Sequence, residues 1–261
     1  MAAGDVDVDI RSMNAKKCAM FDGTDDKITL PINYPTSWSE QFSISIWIYV
    51  PSGAIWSNGY YSNIIGKGNF DGIIGITRDE DTDNNVRFFI RHGSGTNIRG
   101  TYIERDTWHH IVAVYNGSAM RIYNNGVAGD YLGVAFTGSP DNTNWSIGED
   151  IGFTGGLGSW YKGAIGEVRI YKKALTEAEV MSIYNGGNVP GYMARYKFDD
   201  YTDETGNFNA TNDGTRLMLL DSGISSYLMA SGPITKISGA EVFAAWDAGI
   251  GNVETVVIRG A

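Results

Sequence analysis

A single cysteine, Cys18, has no partner for a disulfide within the 261-residue chain. It lies between Ala15 and Met20 and reads as a small buried hydrophobe. Only three histidines are present, His92, His109 and His110, so a zinc cluster would need carboxylates to complete it. Basic residues are also few: 20 Lys and Arg against 30 Asp and Glu give a net charge of −10. Phosphate backbones repel such a chain, which excludes nucleic acid as an expected partner. No apolar run approaches the roughly 20 residues needed to cross a bilayer, so membrane insertion is excluded as well. The opening segment, MAAGDVDVDIRSMNAKK, has no apolar core of the length a secretion signal needs.

What the chain does have is core material and turn formers. Hydrophobic residues make up 43% and aromatic residues 12%, and the 34 glycines follow no three-residue period. Many short strands joined by tight turns fit that balance. Phe42, Ile44, Ile46, Ile48 and Val50 alternate with Ser43, Ser45, Trp47 and Tyr49 before Pro51-Ser52-Gly53 ends the run. Bulky groups on both faces predict a central strand. A second strand is predicted over Val86 to Arg91, entered through the polar turn Asp79 to Asn85. Trp108 to Tyr115 closes on Asn116-Gly117, and Met120 to Tyr123 closes on Asn125-Gly126. Asn-Gly pairs tolerate positive φ and mark hairpins, so a meander is predicted here.

One helix is predicted, over 176–185. Thr176 and Glu179 form a capping box, Leu175 and Val180 a hydrophobic staple, and Asn185-Gly186-Gly187 a left-handed stop. Residues 187–191 read as a linker, and Tyr192 to Asp200 as a strand followed by a polar loop. The expected organisation is an N-terminal arm over 1–17, a β-sandwich over 18–214 and a C-terminal extension over 215–261. Val6, Val8 and Ile10 alternate with aspartates in the arm, and Val253 to Ile258 is a further strand candidate.

Several blocks, in order, resemble the laminin-G-like jelly rolls of the concanavalin A-like lectin and glucanase superfamily. They are Met20-Phe21-Asp22-Gly23, Phe42 to Ile48, Ile64 to Gly68, Trp108 to Gly126, and Ser146 to Gly148 with Tyr161 to Tyr184. The resemblance implies an all-β, antiparallel jelly-roll β-sandwich with one short helix. One block is out of place. A strand resembling Tyr196 to Asp200, with a loop resembling Asp203 to Asn207, normally precedes the Phe-Asp-Gly block, whereas here it follows the helix. A permuted sandwich closed by residues 192–214 is favoured over a truncated second repeat or a strand donated to a neighbour. Donation would make the protein an obligate homo-oligomer.

Glucanases of this superfamily cut with acids spaced as Glu-x-Asp-x-Glu on one strand face. The nearest strings here, Glu104-Arg-Asp106 and Asp5-Val-Asp7-Val-Asp9, do not supply that set, and Glu167 reads as an orienting residue. No catalytic residue is expected. His109 and His110 are strand neighbours that point to opposite faces, so they read as scaffold, and His92 reads as a hairpin residue. Asp79, Asp81 and Asp83 alternate like the start of a calcium loop but lack the glycine and glutamate of an EF-hand, leaving Ca²⁺ as a candidate cofactor. Sugars stack on exposed aromatics beside short polar donors. Trp56, Asn58, Tyr60 and Tyr61 are the candidate glycan-binding set, and Trp38, Trp145, Phe153 and Trp160 are further loop aromatics, of which some must be core.

The resulting expectation is a non-enzymatic structural or adhesive protein on a virion surface, such as a phage capsid decoration, fibre or tail-associated protein. Its partners would be other virion or surface proteins, met through the terminal segments, and cell-surface glycans. A secreted carbohydrate-binding module is the alternative, and a glycoside hydrolase the remote one. The expected location is the virion surface or the extracellular space.

Overall fold

The computed structural model describes residues 16–52, 54, 62–68, 72–78, 84–93, 95–149 and 160–220. Its strands are β1 (Lys16–Asp22), β2 (Lys27–Leu30), β3 (Phe42–Tyr49), β4 (Ser62–Lys67), β5 (Ile73–Arg78), β6 (Asn85–His92), β7 (Gly95–Tyr102) and β8 (Trp108–Tyr115). There follow β9 (Ala119–Asn124), β10 (Val127–Gly133), β11 (Trp145–Ile147) and β12 (Lys162–Tyr171), then the helix α1 (Glu177–Tyr184). The chain continues through β13 (Tyr192–Tyr196), β14 (Thr211–Asp213) and β15 (Arg216–Leu220).

Two antiparallel sheets form a jelly-roll sandwich. Sheet A runs β10-β9-β8-β3-β12-β1-β15, and β13 also pairs with β12; sheet B runs β14-β2-β11-β4-β5-β6-β7. The alternation in β3 sets its two faces. Phe42, Ile44, Ile46 and Ile48 enter the core between the sheets, while Tyr49 and Trp47 pack on the other side with Trp108 and Met218. β3 is central, flanked by β8 and β12. Both Asn-Gly turns form: Gly117 has φ +86°, and Asn125 and Gly126 have φ +51° and +80°, the paired positive values of a primed hairpin turn.

The helix follows its sequence signals closely. Thr176 and Glu179 close a reciprocal capping box. At the other end the Gly187 N–H donates to the Ser182 carbonyl and the Gly186 N–H to that of Ile183, a Schellman stop with Gly186 at φ +83°. Leu175, Val180 and Ile183 pack with Val112, Val114 and Tyr171 on the outside of sheet A. The stretch read as a linker is part of this cluster. Val189 is buried there, and its carbonyl accepts the Tyr171 hydroxyl at 3.0 Å.

After the helix the chain returns to the sandwich. β13 pairs antiparallel with Val168 to Tyr171 of β12, β14 pairs with β2, and β15 pairs with β1. The strand predicted over Tyr192 to Asp200 stops at Tyr196, because Phe198 at φ +56° turns the chain. Cys18 is fully buried, its Sγ 3.5 Å from the Met218 carbonyl of β15, and burial pushes its thiol pKa well up. Two tryptophans read as loop aromatics are core residues. Trp38 is fully buried, and so is Trp145, whose Nε1 donates to the Tyr34 carbonyl at 2.7 Å. A strand of three residues between polar neighbours is too short to carry an alternation signal, which is why Trp145 reads as loop.

Candidate functional site

The histidines of β8 separate as strand geometry requires. His109 meets the Asn124 side chain at 3.1 Å and the Glu104 main chain at 3.0 Å. His110 meets Ser45 Oγ at 2.8 Å on the opposite face, in a cluster of three rings with Trp47 and Tyr184. Burial, reinforced by the Arg169 charge, pushes the His110 pKa down to about 3. Among the described residues, neither belongs to a group of three potential metal ligands. His92 ends β6 at the Gly93 hairpin and meets the Thr137 carbonyl at 2.8 Å. Glu167 joins two arginines, Arg169 and Arg195. The Asp106 carboxylate accepts the Ser52 N–H at 2.8 Å, so it braces a loop.

One group of polar residues gathers at one end of the sandwich. The register places the C-terminal ends of β1, β3, β5, β7 and β11 there, with the N-terminal ends of β2, β4, β6, β8 and β12. On the side of sheet B turned away from the core, Asn63 of β4 donates through Nδ2 to the Glu149 carbonyl at 2.8 Å. The Glu149 carboxylate accepts Ser146 Oγ at 2.7 Å and Lys27 Nζ at 3.1 Å. Asn63 is buried, and among the described residues its Oδ1 has no hydrogen-bond partner. A buried acceptor in that state is one that a water or a ligand hydroxyl can satisfy.

Beside this group, the β1–β2 turn brings Asp22, Asp25 and Asp26 together, with carboxylate oxygens within 4.8 Å of one another. The Asp22 N–H donates to Asp26 Oδ2 at 2.8 Å. Burial raises the Asp26 pKa to about 6; the charges of Asp22 and Asp25 add to the rise, against the Asp22 hydrogen bond and Arg216. The folded state therefore holds the Asp26 proton more tightly than the unfolded chain. The stabilisation this affords is full below about pH 4 and is lost as pH rises through 6. Asp26→Asn retains an acceptor for the Asp22 N–H, so its stability should not share that fall. Between pH 4 and 7 the wild type should lose about 1–2 kcal/mol relative to Asp26→Asn, a figure reduced for partial solvent screening. Urea titrations across that range check it, and parallel curves for the two proteins would count against it.

A second group braces the same end. Arg105 donates through Nε to Asn84 Oδ1 at 3.0 Å and through Nη1 to the carbonyls of Ser52 and Ala54 at 3.1 and 3.4 Å. Tyr102, the last residue of β7, stands beside Asn84. The residues read from sequence as glycan contacts, Trp56, Asn58, Tyr60 and Tyr61, lie outside the described residues, as do the calcium candidates Asp79, Asp81 and Asp83. Their segments join described strands at Ser62, Arg78 and Asn84, all at this end. Trp160 is half-buried, and Phe153 lies outside the described residues. Asn63, Tyr102 and Glu149 were not legible as site residues, since each owes its place to strands meeting across the sheet.

A laminin G family model, described as the concanavalin A-like lectin/glucanases superfamily, matches residues 22–181. The chain belongs to this superfamily. Among solved structures, a provisionally assigned carbohydrate-binding protein from Bacteroides ovatus ATCC 8483 superposes with a TM-score of 0.61 at 20% identity. That match covers 79% of this chain and spans 60% of the other's length. The native heptameric SAP-like pentraxin of Limulus polyphemus gives 0.56 at 18% identity, covering 81% of this chain and 96% of that one. Domain 4 of AbnA, a GH43 extracellular arabinanase of Geobacillus stearothermophilus solved with arabinotriose, gives 0.50 at 23%, covering 64% and 76%. At these identities the likeness to lectin-superfamily neighbours is one of fold. No curated protein sequence matches the chain. Among the described residues, no helix is long and apolar enough to cross a membrane.

Proposed function

We propose that this superfamily member is a non-enzymatic glycan-binding module that takes its ligand at the loop end of the sandwich, over Asn63, Ser146 and Glu149. The carrying observation is the Asn63 Oδ1 acceptor, buried without a partner among the described residues, on a side chain bonded to the Glu149 carbonyl. Sugar hydroxyls are donors and acceptors at once, and a fixed amide with a fixed carboxylate suits them. The named neighbours support the class: one is a provisional carbohydrate-binding protein and another was solved with arabinotriose. Catalysis is disfavoured because Glu167 and Asp106 are committed to structural partners.

The finer reading is adhesion at a virion surface, with the segments before β1 and after β15 as attachments to other surface proteins. It is supported by the adhesive type of sandwich and by the polar, aspartate-rich arm. Calcium held by Asp79, Asp81 and Asp83 belongs to the same proposal. A glycan array probed with the full chain, in calcium and in EDTA, tests the set. Binding should be seen, should fall about tenfold or more per folded molecule in Asn63→Ala and Glu149→Gln, and should weaken in EDTA. An array without a positive would overturn the glycan reading. Equal binding in EDTA would overturn the role of calcium.

A further inference from the structure

Among the described residues, four large apolar side chains remain exposed: Tyr102, Val127, Tyr131 and Met181. Tyr102 differs from the other three in its setting. The residue is 60% exposed at the loop end, yet its backbone and tip are both held. Asn124 Nδ2 donates to the Tyr102 carbonyl at 2.7 Å, and Asn84 Nδ2 donates to the phenolic oxygen at 3.4 Å. Asn84 is fixed in turn by Arg105, which also grips the Ser52 and Ala54 carbonyls. Val127, opposite Asn124 in the β9–β10 pairing, adds an exposed apolar edge.

We infer that Tyr102 is a stacking subsite for one unit of a neutral oligosaccharide, flanked by Asn84. The inference rests on the glycan-binding reading above and extends it to a second place on the same rim. A fixed, exposed aromatic ring presents a flat apolar face that the C–H side of a sugar ring can cover, with little ordering cost left to meet on binding. Because the Asn84 amide is the donor to the phenolic oxygen, the Tyr102 O–H proton remains available for a sugar hydroxyl. A neutral ligand fits because Arg105 commits Nε and Nη1 to one amide and two carbonyls rather than holding them free for an anion, and the Asp106 carboxylate lies next to it in the chain. Tyr131 offers the contrast, since the Arg121 guanidinium lies over its ring at 5.1 Å.

Calorimetric titration of the full chain with arabinotriose, cellotriose and xylotriose tests the subsite. At least one should bind, Tyr102→Ala should weaken that binding about tenfold, and Tyr102→Phe should retain most of it. Tyr131→Ala should bind as the wild type does. The Tyr102 side chain is largely free of the core, so melting temperatures should agree within about 2 °C. Undiminished binding by Tyr102→Ala overturns the subsite while leaving the glycan reading intact. A wild type that binds an array glycan but none of the three sugars overturns the ligand class, and silence of both array and titration overturns the parent reading with it.

Discussion

Replacing Glu167 with Gln should destabilise the protein by about 3 kcal/mol, among the largest effects of any exchange that leaves side-chain volume unchanged. Glu167 lies on β12 and accepts Arg195 through both oxygens, from Nε at 2.6 Å and Nη2 at 3.3 Å. It also accepts Arg169 Nε. Arg169 is buried and spends Nη1 on the Gly187 carbonyl at 3.2 Å, which ties the end of α1 to the sheet. Burial alone would raise the Glu167 pKa, but hydrogen bonds from Arg195 and Arg169 and their charges hold it below the usual value. The glutamine amide offers one oxygen and no charge, so a buried guanidinium is left uncompensated.

The melting temperature should therefore fall by about 6–12 °C, on the scale expected for a domain of this size. The double variant Glu167→Gln/Arg169→Met should recover part of the loss, because it removes the stranded charge as well. The pH dependence has a definite sign. A depressed carboxylate pKa contributes stability above the unfolded value near 4.5 and loses it as pH falls further. The wild type and Glu167→Gln should thus converge in stability under acid. A loss below about 0.5 kcal/mol at pH 7 would mean the network is an ordinary surface one.

Trp145→Ala should cost about 4 kcal/mol and leave glycan affinity per folded molecule unchanged. Two losses add here. The indole fills core between the sheets, and its N–H is the partner of the buried Tyr34 carbonyl. Trp145→Phe should fall between the two, retaining most of the volume while orphaning the carbonyl. Urea denaturation with a saccharide titration of the folded fraction separates stability from binding. A variant of native stability with lost binding would return Trp145 to the role of a sugar platform.

Trp145 also marks where sequence reasoning ends. The long strands were readable because period-two alternation repeats over eight residues in β3 and because Asn-Gly pairs fix turns locally. The helix was readable for a related reason: capping box, staple and Schellman stop all lie within a dozen residues. β11 has only three residues, so it has no period, and its tryptophan could be told from a loop residue only by what packs on it. Similarly, Arg216-Leu217-Met218 shows no alternation, and its strand exists because β1 supplies a partner. The permuted strand was legible as a displaced block, but its place beside β12 is a matter of tertiary pairing.

The candidate site was less legible than the fold. Asn63 and Glu149 are 86 positions apart and meet only because β4 and β11 are neighbours in sheet B. Tyr102 ends a strand of mixed polar residues and gains its setting from Asn84 and Asn124 on other strands. Alternation did predict that His109 and His110 point to opposite faces of β8, where they find separate partners. Polar residues at strand ends leave no periodic trace, so a rim of this kind emerges only once the strands are paired.

The central claim is that the sandwich is a scaffold and that recognition occurs at its loop end. Backbone amide NMR during titration with arabinotriose tests it most directly. The account predicts saturable shifts at Asn63, Ser146, Glu149 and Tyr102, with the helix residues Met181 and Tyr184 unmoved. Shifts confined to the helix face, or no saturable shift at any amide, would contradict it.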